Sequence, residues 1–241
     1  MQNAVAAVRF LTIAGAWHRD PPDRDILGKG ALYYPVVGFF FGALLAIVNR
    51  ILEPYLESEI LGVALIALLT LLAGATHLQG LHEVVDRISL DRSGVESGSG
   101  QRAASAISVS GFIAVVLIVL FKVRSVEVSG ELRNVSLLLA PALARWTLVI
   151  FLYEAGEFVS SRGRRIRKVK AWHLLITSVV TLAVTIYLIG EVGLWVGLFL
   201  SILPLVYRAC LAWSHRSVTV DDCGALTELA ETLAFILFAS V

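Results

Sequence analysis

The sequence has little charge. Only 16% of its 241 residues are Asp, Glu, Lys or Arg, against ~25% in soluble domains, too few for the polar coat a soluble fold of this length needs. Two cysteines, Cys210 and Cys223, are too few for a disulfide framework and lack the spacing of a metal site. The net charge is +1, so there is no basic footprint for nucleic acid. No internal repeat and no low-complexity linker divides the chain, and a disordered, fibrous or secreted disulfide-framed protein is excluded. What is present is apolar: 57% of residues fall in the AVILMFWYC set, with a mean hydropathy of +0.80.

That composition points to a polytopic membrane protein. Ala31–Asn49, Ile60–Thr76, Ala103–Phe121, Ala171–Gly190 and Val192–Tyr207 contain no Asp, Glu, Lys or Arg. Asn134–Tyr153 is interrupted only by Arg145, and Cys223–Val241 only by Glu228 and Glu231. A helix needs ~20 apolar residues to cross a ~30 Å hydrocarbon core, so six to seven transmembrane helices are expected. Backbone groups in lipid must be paired internally, which makes the fold class an all-α membrane bundle, one integral domain over residues 1–241. Pro35, Pro141 and Pro204 fall inside these runs, where lipid-embedded helices tolerate them. Met1–Trp17 is short for a span and precedes a charged stretch without an A-x-A cleavage site; an amphipathic helix lying at the interface is expected.

Under the seven-helix arrangement, 15 Lys and Arg residues fall on the N-terminal side and four (Arg50, Lys122, Arg124, Arg133) on the other, with Arg145 inside a span. Short loops rich in Lys and Arg stay in the cytoplasm. The expectation is a multi-pass protein of the cell membrane with its N-terminus inside.

Three polar islands break the apolar pattern. After the second charge-free run, Gln79, Glu83 and Asp86 share one face of a continuing helix, and His82 lies one turn from Asp86. Oxygen donors so grouped suit Mg²⁺, or else form a solvated helix end. In the last span, Asp221 and Asp222 stand where they can cap a helix, and Glu228 and Glu231 follow one turn apart. Intramembrane carboxylates need a polar cavity or a partner; Arg145 is the evident partner, in either a structural pair or a ligand cavity. The run Arg162–Lys170 suits anionic lipid or a nucleotide-bearing substrate. His18, His173 and His215 are expected at the interface, with Trp17, Trp172, Trp195 and Trp213 as belt anchors. All three islands fall on the expected cytoplasmic side, consistent with metal-assisted phosphoryl chemistry there.

The same residues resemble the cobalamin-5'-phosphate synthase family, adenosylcobinamide-GDP ribazoletransferase. They are Phe10-Leu11-Thr12, the run Ala31-Leu32-Tyr33-Tyr34-Pro35-Val36-Val37-Gly38, the segment from Gly74 through Arg87, Lys122, Arg145, and Thr219, Asp221, Gly224, Ala225, Glu228 and Glu231. The resemblance covers nearly the whole chain in order. It departs at Gln79 and Glu83, where the family pattern has aspartates, and at Arg87, where it has glycine. It departs again at Ala104-Ser105-Ala106-Ile107-Ser108, where the pattern reads Asp-Ser-Arg-x-Gly.

The resemblance implies transfer of α-ribazole, or its 5'-phosphate, onto adenosylcobinamide-GDP with release of GMP, assisted by Mg²⁺. It implies metal or phosphate-site roles for Gln79, Glu83, Asp86 and Asp221, and catalytic roles for His77, Asp86 and Arg145. Substrate contacts fall to Arg145, Lys122, Glu228 and Glu231. The implied partners are corrinoid and α-ribazole substrates and the lipid bilayer, with a homo-oligomer or pathway complex. Two other readings stand beside it: a non-catalytic relative that binds corrinoid intermediates or pathway enzymes, and a small transporter. The Asp-Gly-x-x-Ala-Arg signature of CDP-alcohol phosphotransferases is absent.

Overall fold

A computed structural model describes residues 2–13, 30–93, 109–155, 158–159, 165–166 and 169–241. Trp17, His18, the 104–108 segment, and Arg162, Arg164, Arg167 and Lys168 lie outside the described residues.

The N-terminal helix, α1 (Gln2–Leu11), buries Ala6, Ala7 and Leu11 against the bundle. Over its described residues each expected span carries a helix: α2 (Tyr34–Leu52, entered through a 3₁₀ turn at Ala31–Tyr33), α3 (Ser58–Ala73), α5 (Val109–Val128), α6 (Arg133–Ala155), α7 (Ala171–Ile189), α8 (Glu191–Trp213) and α9 (Val220–Ala239). Between α3 and α5 lies α4 (Thr76–Ser93). Among the described residues, five segments are long and apolar enough to cross a membrane, and the bent pair α3–α4 makes a sixth if it is one span. The last, α9, stands apart from those six because Asp221, Asp222, Glu228 and Glu231 lie within it. One small departure from the all-helical expectation is an antiparallel pair, β1 (Phe158–Val159) with β2 (Arg165–Ile166).

The second span does not continue as one helix. It stops at Ala73, and α4 leaves at 86° to it. Gly74 takes a left-handed conformation (φ +70°), and the Gly74 and Ala75 N–H groups donate back to the Leu71 and Thr70 carbonyls, each at 3.0 Å. This is the paired bonding of a Schellman stop. Ala75 shares the positive φ, at +56°, which an L-residue with a Cβ adopts at a cost of roughly 1–2 kcal/mol.

Helix α6 is the hub, with α2, α8 and α9 packed around it. Gly38 and Gly42 stand one turn apart on α2 against α6; a Cβ on Gly38 would overlap the Pro141 carbonyl and one on Gly42 the Leu138 carbonyl. This is small-xxx-small packing, in which glycines let two membrane helices approach backbone to backbone. At the far end of the same pair Asn49 Nδ2 donates to Asn134 Oδ1 at 3.1 Å.

Substituting Gly42→Val should therefore lower the thermal midpoint of the detergent-solubilised protein, because overpacking costs ~1–3 kcal/mol or more. Gly62→Ala should leave it unchanged, since a Cβ there meets the Val123 carbonyl at an ordinary 3.4 Å. Equal midpoints for the two variants would show that α2 and α6 do not meet at Gly42.

Candidate active site

The site is organised by the crossing of α4 over α9. A Cβ on Gly80 would stand 2.7 Å from the Asp221 carbonyl and 3.1 Å from Gly224 Cα, and one on Gly224 would stand 3.1 Å from the His77 carbonyl. Two glycines thus let the backbones touch. Leu81 and Val84 of α4 close the crossing against Ala225. With that face turned inward, Gln79 and Glu83 are exposed and Asp86 is half-buried. The three share one face, as the spacing predicts, on a helix restarted at Thr76.

Beneath the crossing lies a group of buried charges from three helices. Lys122 of α5 donates to Glu228 Oε2 at 2.6 Å and to Glu231 Oε2 at 2.5 Å. Arg145 of α6 donates to the other Glu231 oxygen, Oε1, and to the Pro141 carbonyl at 3.3 Å. Its guanidinium also lies over the Phe41 ring, 5.2 Å from the centroid, a favourable cation–π placement. All four side chains are at most 7% exposed. At 1.5 Å per residue, Glu228 and Glu231 sit ~12–17 Å along α9, near mid-depth of a ~30 Å core for a crossing helix.

The expected Arg145 partnership holds for Glu231 alone; Glu228 is held by Lys122. The signal was present, since an α5 lysine behind nineteen charge-free residues needs an intramembrane partner as much as a glutamate does. His77 stands on the inward face of α4, opposite the exposed Gln79 and Glu83, where its backbone meets Gly224 of α9. It is 5% exposed, and among the described residues its Nε2 has no hydrogen-bond partner. Arg145 Nε is likewise buried and unpartnered. Such orphaned polar atoms require an explanation in a folded protein, and here two of them belong to residues the sequence marks for chemistry.

Two aspartates carry structural work, one of which spacing did not disclose. Asp86 Oδ1 accepts the Gly111 N–H at 3.0 Å, satisfying a first-turn amide of α5, and Oδ2 lies 3.5 Å from His82 Nδ1. Of the two expected helix caps, Asp222 does that work in a reciprocal box. Thr219 is the N-cap; its N–H and hydroxyl both lie 2.7 Å from Asp222 Oδ2. Tyr207 donates to Asp222 Oδ1 at 3.0 Å. Asp221 is left half-buried beside Gly80. His173, expected at the interface, is buried at 4% exposure, whereas Trp172, Trp195 and Trp213 are exposed.

Among the described residues, no three His, Cys, Asp or Glu side chains are grouped so as to hold a metal ion on their own. Mg²⁺ usually takes only one or two carboxylates and fills its shell with water and substrate phosphates. The all-oxygen set Gln79, Glu83 and Asp86, two of them carboxylates on one face, fits that lighter demand, with Asp221 delivered to the same crossing by α9.

Comparison with known proteins bears on what such a site does. Residues 3–239 match the family model described as Cobalamin-5-phosphate synthase. The adenosylcobinamide-GDP ribazoletransferase of Pseudomonas fluorescens is 30% identical over 95% of this chain and 96% of its own length. Those of Acetivibrio thermocellus (29%; 99% and 97%) and Alkaliphilus metalliredigens (28%; 98% and 95%) align as fully. No solved structure matches the chain.

The charge geometry makes a prediction of its own. Lys122→Met leaves two glutamates facing one arginine, and removing one partner of a buried pair costs ~3–5 kcal/mol. The thermal midpoint should fall sharply, and adding Glu228→Gln should recover most of the loss. A double variant as unstable as the single one would mean that Lys122 does not neutralise Glu228.

Proposed function

The chain belongs to the cobalamin-5-phosphate synthase family, and on that premise we propose that it joins adenosylcobinamide-GDP to α-ribazole, or to α-ribazole 5'-phosphate, in cobalamin biosynthesis. In this reading a ribazole hydroxyl attacks the phosphorus attached to cobinamide. The new P–O bond forms as the pyrophosphate bridge breaks, GMP departs with the bridging oxygen, and the hydroxyl proton passes to a base. The observation that carries the reading is the meeting of unlike chemistries at one helix crossing. Exposed and half-buried oxygen donors stand on the outward face of α4, the buried His77, whose Nε2 has no partner among the described residues, stands on its inward face, and buried cations of α5 and α6 hold the α9 glutamates at the same crossing.

Each residue then has a task. His77 Nε2 accepts the proton, as a buried imidazole within reach of substrate can. Arg145 Nε, without a partner among the described residues, donates to a phosphate oxygen. Lys122, Glu228 and Glu231 hold Arg145 in place and set the charge of the floor. Glu83 and Asp86, with Gln79 and Asp221 as further oxygen donors, would hold Mg²⁺, which would supply charge neutralisation on the pyrophosphate. The competing reading, a non-catalytic relative, draws on Gln79 standing where a carboxylate would ligate more strongly.

Purified protein given adenosylcobinamide-GDP and α-ribazole should form cobalamin product and GMP in equal amounts, and chelation of divalent ions should stop it. Asp86→Asn keeps a carbonyl acceptor for the Gly111 N–H while removing the charge. It should retain the wild-type thermal midpoint and lose turnover by no less than the ~10–100-fold that loss of a metal ligand's supporting partner costs. Absence of product from the wild-type protein, together with failure to complement a strain lacking the transferase, would favour the non-catalytic relative. Turnover that survives both chelation and Asp86→Asn would remove the metal from the mechanism.

A further inference from the structure

We propose that His82 is a ligand of the divalent ion held on α4, and that its imidazole makes the site prefer a later first-row divalent ion, from Mn²⁺ to Zn²⁺, over Mg²⁺. The inference rests on the metal reading of the Gln79, Glu83 and Asp86 face, and it gives that site a further ligand and a selectivity. His82 lies on the same stripe. Positions 79, 82, 83 and 86 are spaced i, i+3, i+4 and i+7, which a helix gathers on one side. The His82 and Asp86 side chains are 26% and 17% exposed, sheltered yet open to an incoming ion.

His82 Nδ1 lies 3.5 Å from Asp86 Oδ2. That is beyond the ~2.7–3.2 Å of an N–H···O hydrogen bond, so the two atoms face each other without being joined. Two donors on one ion at ~2.1 Å stand ~3.0–3.4 Å apart, for right-angle to tetrahedral coordination. The pair therefore closes on an ion with little movement. Asp86 Oδ1 accepts the Gly111 N–H at 3.0 Å. This orients the carboxylate and leaves Oδ2 for the ion, as supporting hydrogen bonds do in metal sites. Gly111 is fitted to the pair: a Cβ there would stand 2.4 Å from Asp86 Oδ1 and 2.8 Å from His82 Cδ2. The first turn of α5 thus seats both side chains.

The donor set decides the ion. Mg²⁺ is hard, takes oxygen donors and keeps several waters, whereas imidazole suits the later first-row ions. This chain has Gln79 and Glu83 where the family pattern has two aspartates, so one carboxylate charge that would attract Mg²⁺ is gone. A nitrogen stands beside the aspartate that remains. Among the described residues no third His, Cys, Asp or Glu closes the group; Glu83 on the same face and phosphate oxygens of a substrate would complete the shell.

Mn²⁺ is a stringent probe, being paramagnetic and the weakest binder of its series. The full chain in a maltoside detergent is loaded with Mn²⁺ alone, and electron spin-echo modulation reads any nitrogen bound to the ion. Wild-type protein should show a directly bound nitrogen, and isotope labelling of the histidine nitrogens should alter that signal without any substitution. His82→Ala should abolish the signal and weaken Mn²⁺ binding by ~10-fold or more. Its Mg²⁺ affinity, read by competition, should change by less than ~2-fold, because Mg²⁺ gains little from imidazole. Equal weakening of both ions would overturn the selectivity. Bound Mn²⁺ without a nitrogen signal, or a signal that persists in His82→Ala, would overturn the proposal and leave Glu83 and Asp86 as an oxygen site. Absence of bound Mn²⁺ would overturn it together with the metal reading. Turnover enters none of these measurements, so the transferase reading stands or falls separately.

Discussion

Lys122, Arg145, Glu228 and Glu231 form a neutral set of four buried charges, and the rest of the architecture depends on their neutrality. A single charge at a span centre costs ~2.5–3.5 kcal/mol on insertion scales, so four uncompensated charges would cost ~10–14 kcal/mol, comparable with the entire ~5–15 kcal/mol stability of a typical domain. Each cation must therefore find its anion across a helix interface. That requirement ties α5 and α6 to α9 and fixes which face of α9 turns inward. The Gly38 and Gly42 contact of α2 with α6 supports the same arrangement from behind, placing Phe41 under the Arg145 guanidinium.

Above that floor the geometry changes character. The bend at Gly74 and Ala75 turns α4 across α9 instead of along α3, with its glycine face on α9 and Gln79 and Glu83 on the exposed side. The Gly80 and Gly224 approach sets the spacing between the two helices, and His77 stands on that inward face. Asp86 and Asp222 secure the ends of α5 and α9, so the residues that hold the helices and the candidate chemical groups are interleaved along the same two segments. A substitution there must be chosen to preserve the hydrogen bond while removing the charge.

Much of this was legible in the sequence, for reasons that can be named. The bilayer forces charge-free runs into helices, and every run expected to span is helical over its described residues. Gln79, Glu83 and Asp86 share a face because helical spacing decides that locally. The bend was not legible, because Gly74 alone signals a helix stop while the direction beyond it depends on packing against α9 and on Ile13, whose Cα would lie 2.9 Å from a Gly74 Cβ. Lys122 counts toward an outer loop because it closes an apolar run, and although that run signals a need for a partner, only tertiary pairing identifies Glu228 and Glu231. With Lys122 and the buried Arg133 removed from the loop count, Arg50 and Arg124 stand alone on the expected outer side, which sharpens the positive-inside expectation. Gly38 and Gly42 show the small-xxx-small spacing, but spacing alone does not say which helix they meet.

Whether the deep charges serve chemistry or packing alone is tested most directly by neutralising all four together. Replacing Lys122 by Met, Arg145 by Leu, and Glu228 and Glu231 by Gln removes every charge at once, a change that is often neutral or stabilising when volume is kept. Turnover of adenosylcobinamide-GDP should then be measured beside the thermal midpoint of the same preparation. A site built on these charges predicts a folded protein without turnover; a folded protein that still releases GMP at the wild-type rate would contradict it.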